Sequence, residues 1–363
     1  MKLFLKKGRK RIIICLFCVG LIAASVGLAG CGVKTTTYQR MDTVMGTILK
    51  ETVYVEKGGE DITARIRQEI VDLEDRLLSR RKDTAELYKI NSHAGDGRGV
   101  EVSETLWEVF LKLQQVSERS GGAFDITIGE TVRLWDIDSF AAMEKEEVVL
   151  PSPQQIAASL ENTGYEKLQL QNGRITLTEG MQLDLGAAGK GIACDTVLTF
   201  LQSQPQVNGA IISVGGSILT YGEKPDGTPW NVGIVDPRDT SSYIGGLTLE
   251  GQWCVSTSGD YERYVEVEGK RYHHIIDPDT GYPTDAGLLS VTVLSPSGVL
   301  SDALSTACFV LGYEKALPLL KAYDAYGVFV DKQGNVKLTS GAEQYYKSHK
   351  SRTKVPVASC NSP

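Results

Sequence analysis

Residues 183–191 read Leu-Asp-Leu-Gly-Ala-Ala-Gly-Lys-Gly, a short apolar strand that passes through a loop of small residues into a helix expected over Lys190–Gln202. Such a loop lets backbone N–H groups approach an anion, and Lys190 can add a positive charge. It is not a Walker loop, because the spacing differs and no Ser or Thr follows the lysine. A tightly packed turn between a strand and a helix accounts for the same residues at least as well, so both interpretations stay open.

The sequence around this stretch mixes strands and helices without regular βαβ alternation. From Leu168 onward, short strands punctuated by glycine are interrupted by Lys190–Gln202 and by a second helical segment, Asp302–Tyr323, which we expect to kink near Pro318. This order favours an α+β fold with mixed, largely antiparallel sheets and flanking helices over a doubly wound fold.

The N-terminal half contains one predicted strand, Val44–Val55, and three predicted helices. A second helix begins at Ser103, whose hydroxyl can cap it, and ends at Gly121-Gly122, whereas Ser152-Pro153 begins a third. The first helix has an apolar face formed by Ile62, Ile66, Ile70, Leu73 and Leu77.

Residues 1–30 resemble a bacterial lipoprotein signal. Six basic residues within positions 2–11 precede the apolar run Ile12–Leu28, and Leu28-Ala29-Gly30-Cys31 resembles a lipobox. We therefore expect cleavage before Cys31 and lipidation of Cys31, which anchors the protein to the extracytoplasmic face of the cell membrane. An uncleaved transmembrane helix is the alternative, but about 17 apolar residues is at the short limit for a span.

The remaining chain is predicted to comprise a tether at 31–40, one folded domain at 41–340 and a flexible tail at 341–363. Loss of residues 1–30 removes six basic residues and no acidic one, so the net charge falls from -7 to -13. A chain this acidic is not expected to bind nucleic acid. The spacing of its cysteines after Cys31 fits neither a zinc site nor a disulfide framework.

Asp302-Ala303-Leu304-Ser305-Thr306 is a candidate metal site. Positions i and i+4 of a helix place the Asp302 carboxylate and the Thr306 hydroxyl on one face, and two hard oxygens side by side suit magnesium. Capping of the helix by Asp302, with a buried threonine, explains the same residues and is favoured on spacing alone.

A strand that runs into a tight turn carries two adjacent histidines, His273 and His274, before Ile275-Ile276-Asp277-Pro278. Adjacent strand residues face opposite sides, so only one histidine can point into a given site. A histidine there could take a proton from an attacking hydroxyl, although a lone strand histidine is more often structural.

Three glycine-containing segments are weaker candidates. In Gly121-Gly122-Ala123-Phe124-Asp125, small residues permit close approach of a planar ring, but a helix end followed by a core phenylalanine is the alternative. Val214-Gly215-Gly216-Ser217 and Ser256-Thr257-Ser258-Gly259-Asp260-Tyr261 are both glycine-containing strand ends.

The joint order of these motifs resembles the ApbE family of FAD:protein FMN transferases over nearly the whole chain after the signal. The matching blocks are Met45-Gly46-Thr47, Leu78-Ser79 through Ile90-Asn91, Gly121 to Asp125, Leu134-Trp135, Asp184 to Asp195, Gly215-Gly216, Ser258-Gly259-Asp260, His274 to Pro283 and Asp302 to Gly312.

The resemblance implies an ApbE-like fold and a magnesium-dependent enzyme that splits FAD, passes FMN to a Thr or Ser hydroxyl of a target flavoprotein and releases AMP. It implies that the Ala187 carbonyl, Asp302 and Thr306 hold Mg²⁺ with Ser305 beside them, and that His274 is the base. The acceptors are expected to be exported or membrane-bound flavoproteins. The residues implied to contact FAD are Met45, Ala123, Phe124, Asp125, Asp184, Lys190 and Ile276.

The chain departs from the family pattern at two places. Arg80-Arg81 stands where relatives often have an aromatic residue, and Arg81 could stack on a flavin or an adenine through its planar guanidinium. Ser217 stands where an acidic or amide residue is common. Two other functions stay open: an FAD pyrophosphatase that uses water as the acceptor, and a flavin-binding lipoprotein without chemistry.

Overall fold

The computed structural model describes residues 35–137 and 148–349. Cys31, the predicted lipidation site, lies outside the described residues, as does residue 360. The helices are α1 (Thr63–Leu73), α2 (Glu86–Ser92), α3 (Glu104–Arg119), α4 (Gly129–Trp135), α5 (Pro153–Leu160), α6 (Gly189–Gln202), α7 (Gly298–Leu311) and α8 (Tyr313–Ala322). The strands are β1 (Thr35–Val44), β2 (Thr47–Glu56), β3 (Val100–Glu101), β4 (Gln169–Gln171), β5 (Arg174–Thr176), β6 (Val207–Val214), β7 (Ser217–Gly222), β8 (Trp230–Asp236), β9 (Asp239–Leu249), β10 (Trp253–Gly259), β11 (Tyr264–Val267), β12 (Lys270–His273), β13 (Leu288–Ser295), β14 (Tyr326–Asp331), β15 (Val336–Leu338) and β16 (Tyr346–Ser348).

The largest sheet has eight strands in the order β1-β2-β6-β7-β10-β13-β14-β15, and every neighbouring pair is antiparallel. Three smaller sheets are also antiparallel: β16-β9-β8, β3-β5-β4 and the hairpin β11-β12. The predicted α+β fold with largely antiparallel sheets is thereby confirmed.

Helices cover one face of the large sheet, and the β16-β9-β8 sheet covers the other. Leu49 of β2 and Val291 of β13 are completely buried in the cluster that includes the apolar faces of α1, α3, α6 and α7. Val255 and Leu294 point the opposite way and pack with Trp230 of β8. All residues of β13 are buried for this reason, since both of its faces are covered.

The predicted helix beginnings are confirmed. The Ser103 hydroxyl accepts a hydrogen bond from the Leu106 N–H at the start of α3. Ser152 and Gln155 form a capping box at the start of α5, where Pro153 occupies the first turn.

Three predicted boundaries are wrong. Residues 35–40 belong to β1 and not to a tether. The strand predicted at Val44–Val55 is interrupted by a turn at Met45-Gly46, where both residues have positive φ. β1 is a polar edge strand, so no alternation of apolar residues marks it. At the other end, β16 pairs with β9 inside the predicted tail of 341–363.

The segment predicted as one helix over Asp302–Tyr323 is two helices, α7 and α8. The chain breaks at Gly312, which has φ of 76°, and not at Pro318, which lies inside α8. Glycine reaches positive φ without steric cost, so it ends α7 more sharply than proline would. Within residues 35–137 and 148–349, no helix is long and apolar enough to cross a membrane.

Glu51 is an unpaired carboxylic acid in the core next to α1. It is 2% exposed, and neither carboxylate oxygen has a hydrogen-bond partner. Burial raises its pKa to about 8 from 4.5. A group whose pKa is raised in the folded state contributes stability below its unfolded pKa, and that stability is lost as pH rises through the folded value.

We therefore predict that the free energy of unfolding declines between pH 5 and pH 9 and that Glu51→Gln removes roughly 2–5 kcal/mol of this decline. Urea unfolding at the two pH values measures it. Glu56→Gln, at the exposed end of the same strand, is the matched control. An unchanged pH dependence in Glu51→Gln would contradict the assignment.

Candidate functional site

A cavity of about 550 Å³ opens beside the loop that leads from Leu183 into α6. Its walls come from segments far apart in the sequence, which the fold brings together. The predicted site residues that line it are Met45, Arg81, Ala123, Phe124, Asp125, Asp184, Ala187, Lys190, His274, Ile276, Asp302 and Thr306. The role of each in ligand binding stays a prediction.

Helices α6 and α7 begin next to each other, and a carboxylate of each accepts hydrogen bonds from first-turn N–H groups of the other. Asp302 in α7 accepts a hydrogen bond of 2.9 Å from the Gly191 N–H in the first turn of α6. Asp195 in α6 accepts from the N–H groups of Gly298, at 2.5 Å, and Val299, at 3.0 Å, in the first turn of α7. First-turn N–H groups have no partner within their own helix and favour negative charge, so the two carboxylates lock the helices together.

The hydrogen bonds identify the cap of α7. It is Ser297 and not Asp302, because the Ser297 hydroxyl accepts from the Leu300 N–H and Asp302 lies in the second turn. At the start of α6, the Gly191 N–H donates to the Asp302 carboxylate.

Two glycines make the close approach of α6 and α7 possible. A Cβ atom on Gly191 would lie 2.0 Å from the Gly298 carbonyl oxygen, and a Cβ on Gly298 would lie 2.2 Å from the Gly191 carbonyl oxygen. Both distances are far below van der Waals contact with backbone atoms that cannot move aside. No other residue type fits at either position.

Three oxygens near this junction fit the predicted magnesium site. Asp302 is 2% exposed, and its Oδ1 atom lies 3.6 Å from the Lys190 ammonium. The Thr306 hydroxyl follows one turn later and lines the cavity. Ala187, whose carbonyl is the third predicted ligand, lines the cavity just before the start of α6.

A carboxylate, a hydroxyl and a carbonyl are the hard oxygens that Mg²⁺ prefers. Within the described residues, no group of three or more His, Cys, Asp or Glu side chains could hold a metal ion. The set at Asp302 has a different composition, since it contains a single carboxylate.

Ser305, predicted to lie beside the metal ligands, is not among the residues that line the cavity. It is completely buried, and its hydroxyl donates to the Asp302 carbonyl oxygen and lies 2.8 Å from the Ser258 hydroxyl. Ser258 in turn lies 3.2 Å from the Thr306 hydroxyl. Ser305 therefore supports Thr306 from behind, through Ser258.

Ser217 is hydrogen-bonded to this cluster despite its short side chain. Its hydroxyl donates to Asp302 Oδ1 at 3.3 Å and accepts from the Ser256 hydroxyl at 3.0 Å. The departure from the family pattern at this position keeps a polar contact, although a long one.

Only one of the two histidines lines the cavity, as expected, although His274 lies just past the end of β12. His273 is buried, its Nε2 atom lies 3.0 Å from the Thr284 carbonyl oxygen, and burial lowers the pKa of its ring. His274 lines the cavity, and its Nδ1 atom lies 3.2 Å from the Arg263 carbonyl oxygen. Since a carbonyl can only accept, Nδ1 carries the hydrogen in this bond, and the lone pair of the neutral ring is then on Nε2.

The Asp125 carboxylate organises one wall of the cavity. It accepts hydrogen bonds from the Thr127 N–H and hydroxyl, both at 2.7 Å, and from the Tyr165 N–H at 2.9 Å. Burial raises the pKa of Asp125 against the effect of these bonds. Phe124, beside it, is 2% exposed, so it is mainly a core residue with an edge at the cavity.

Arg80 and Glu262 are among the cavity residues to which the sequence reasoning gave no role. Arg80 forms an ion pair with Asp184, and its neighbour Arg81 is exposed at the cavity. Glu262 also lines the cavity. Glu262 directly follows the Ser256–Tyr261 motif, so extending that motif by one residue would have included it.

The fold and the cavity together are those of an α+β enzyme whose site combines apolar walls with charged and hydroxyl side chains. The ApbE family profile matches residues 45–330. The chain therefore belongs to the ApbE family.

Curated relatives and solved structures agree with this assignment. An FAD:protein FMN transferase of Treponema pallidum is 32% identical over 89% of this chain and 91% of its own length. One of Klebsiella pneumoniae is 37% identical over 77% of this chain and 85% of its own. The ApbE protein of Thermotoga maritima has a TM-score of 0.76 at 30% identity, covering 86% of this chain and all of that one, and the Pseudomonas stutzeri flavinyl transferase ApbE has a TM-score of 0.71 at 28%, covering 87% and 95%.

We predict that Gly191→Ala destabilises the fold by about 1–3 kcal/mol or more, because the added methyl group forces α6 and α7 apart. Thermal unfolding measures the loss. Gly189→Ala is the matched control, since its added methyl group would meet only the flexible end of Met45, at 3.4 Å. Equal melting temperatures for the two variants would refute the role assigned to the glycine contact.

Proposed function

We propose that this protein is a magnesium-dependent FAD:protein FMN transferase that moves FMN from FAD to a Thr or Ser hydroxyl of a target flavoprotein and releases AMP. The observation that carries the proposal is the convergence of His274, Lys190, Asp302 and Thr306 on one cavity. A volume of about 550 Å³ is typical of sites for ligands of cofactor size. The names of the relatives supply the substrate and the product.

His274 acts as the general base. Its Nε2 atom takes the proton of the acceptor hydroxyl, while the bond to the Arg263 carbonyl holds the ring in the required tautomer. The hydroxyl oxygen then forms a bond to the phosphorus of the FMN half, and the bond from that phosphorus to the bridging oxygen breaks. AMP leaves with the bridging oxygen.

Lys190 and Asp302 handle the charge of the pyrophosphate. The Lys190 ammonium can face the phosphate oxygens, since it is 3.6 Å from Asp302 and at the cavity surface. Bound Mg²⁺ would supply further neutralisation of those oxygens, held by Asp302, Thr306 and the Ala187 carbonyl. The hydroxyl network of Ser258 and Ser305 keeps Thr306 in place.

A transfer assay tests this reaction. The protein is mixed with FAD, Mg²⁺ and a candidate exported flavoprotein, and intact mass spectrometry is used to find the mass of FMN on a Thr or Ser of the acceptor. We expect His274→Ala to lower the transfer rate about 100-fold or more with FAD affinity nearly unchanged, and EDTA to abolish transfer. His93→Ala, an exposed histidine that is not among the residues lining the cavity, is the control.

The other outcomes of this assay separate the alternatives. Free FMN and AMP without an adduct would indicate an FAD pyrophosphatase, and FAD that stays bound and intact would indicate a binding protein. Full transfer by His274→Ala would remove the histidine from the mechanism.

We also propose that the enzyme is anchored by lipid on Cys31 outside the cytoplasm, where it modifies exported or membrane-bound acceptors. The support is the basic segment, the apolar run and the lipobox-like ending at Cys31.

Cell fractionation tests the anchor. We expect to find the wild-type protein in the membrane fraction. The Cys31→Ser variant should remain as the uncleaved precursor, because lipidation of the cysteine precedes cleavage in this class of signal. Labelling with a radioactive fatty acid should mark the wild type alone. Label on the Cys31→Ser variant would refute the assignment of the lipid to this residue.

A further inference from the structure

Trp135, the last residue of α4, forms a hydrogen bond to a distant turn. It is 3% exposed, and its indole N–H donates to the Gly281 carbonyl oxygen at 2.7 Å. Gly281 is buried, so its carbonyl depends on a partner within the protein. Leu134-Trp135 is one of the blocks that resemble the family, but it contains none of the predicted site residues.

The indole ring of Trp135 contacts the same part of the chain on both sides of His274. Its centroid lies 5.7 Å from that of the Tyr272 ring, in a stacked arrangement at 29°. The Tyr282 ring lies 5.8 Å away with its edge toward the indole. Aromatic pairs in these geometries stabilise each other beyond the burial of their surface. Trp135 therefore holds the segment Tyr272–Tyr282, which contains His274, near each of its ends.

Backbone hydrogen bonds connect Gly281 to the residues near His274. The Gly281 N–H donates to the Asp277 carbonyl oxygen at 2.8 Å, and the Asp277 N–H donates to the Tyr282 carbonyl oxygen at 2.9 Å. The N–H of His274 itself donates to the Arg263 carbonyl oxygen at 3.1 Å. A movement of Gly281 would therefore move Asp277 and, with it, the end of the segment that carries His274.

The other end of α4 is fixed to the opposite side of the site. The Gly129 N–H donates to the Gln182 carbonyl oxygen at 2.9 Å, and a Cβ atom on Gly129 would lie 2.5 Å from that oxygen. Gln182 directly precedes the stretch 183–191 that leads to Lys190. One short helix thus connects the chain that carries Lys190 with the chain that carries His274.

We infer that Trp135 is a positioning residue for His274, which it places relative to Lys190 through α4. The inference rests on the proposed function, because it takes His274 as the base. A base must lie within hydrogen-bond reach of the proton that it removes, and a misplacement of about 1 Å can cost a large factor in rate. The indole N–H is the group that sets this placement, through the Gly281 carbonyl.

The Trp135→Phe variant of the full protein tests the inference in the transfer assay. Phenylalanine keeps an aromatic ring but removes the N–H, so the Gly281 carbonyl loses its donor. We expect kcat for FMN transfer to fall on the order of tenfold, because His274 is displaced. The KM for FAD, and the Kd measured by fluorescence titration, should stay within about twofold of the wild-type values, since the inference gives Trp135 no contact with FAD.

Trp230→Phe is the matched control. Trp230 is 2% exposed, and its indole N–H also donates to a glycine carbonyl, that of Gly222, at 3.1 Å. It belongs to the apolar cluster on the other side of the large sheet and is not among the residues that line the cavity. Thermal unfolding should show a loss of stability in both variants, whereas kcat should fall in Trp135→Phe alone. Equal losses of kcat would mean a general loosening of the fold and would overturn the inference.

A double-mutant cycle tests whether Trp135 acts through the base. In the His274→Ala background, Trp135→Phe should leave the residual rate nearly unchanged. A further tenfold loss there, or a raised Kd for FAD with unchanged kcat in the single variant, would overturn the inference. If the wild-type protein transfers no FMN, the proposed function fails instead. Wild-type transfer together with an unchanged kcat in Trp135→Phe would remove the positioning role alone.

Discussion

The Gly191 N–H and the Asp302 carboxylate meet at 2.9 Å, and the geometry of the site depends on this contact. It is possible only because Gly191 and Gly298 let the two helix ends touch through their backbones. Asp195 completes the junction from the other side by accepting two N–H groups of α7. A buried carboxylate without partners would destabilise the fold. Here the first-turn N–H groups of one helix stabilise the charge of the carboxylate on the other helix, and that carboxylate in turn stabilises the helix start.

The junction also explains how residues distant in sequence share one cavity. α6 brings Lys190 and α7 brings Asp302 and Thr306, so locking the helices fixes these three side chains relative to one another. His274 comes from a separate part of the chain, just past the end of β12, where His273 is buried and His274 lines the cavity. Its ring is held there by the Arg263 carbonyl and not by the helix junction.

Much of this could be predicted from the sequence, and the exceptions share a cause. The helices begun by Ser103 and Ser152 were predictable because capping is a local interaction. β1 was missed because a polar edge strand has no apolar alternation, and the break at Gly312 was missed because proline seemed the stronger interruption. The role of Asp302 was ambiguous because its partner, Gly191, is 111 residues away. The ion pair between Arg80 and Asp184 was not predicted. Which of two adjacent arginines meets Asp184 depends on the turn that the Ser79 hydroxyl fixes, and the sequence does not show that turn.

The same contact occupies one of the N–H donors that a phosphate loop would offer at the start of α6. In a phosphate loop, free N–H groups at a helix start bind the ligand. Here the Gly191 N–H is already bound to the protein's own carboxylate, so that donor is not available to a phosphate. The negative charge of Asp302 would repel a pyrophosphate unless cations stand between them. Lys190 is one such cation, at 3.6 Å from Asp302. A divalent ion held by Asp302, Thr306 and the Ala187 carbonyl would be a second. An internal anion at the helix junction thus favours cations between the protein and a phosphate-bearing ligand, which is the physical support for the proposed magnesium.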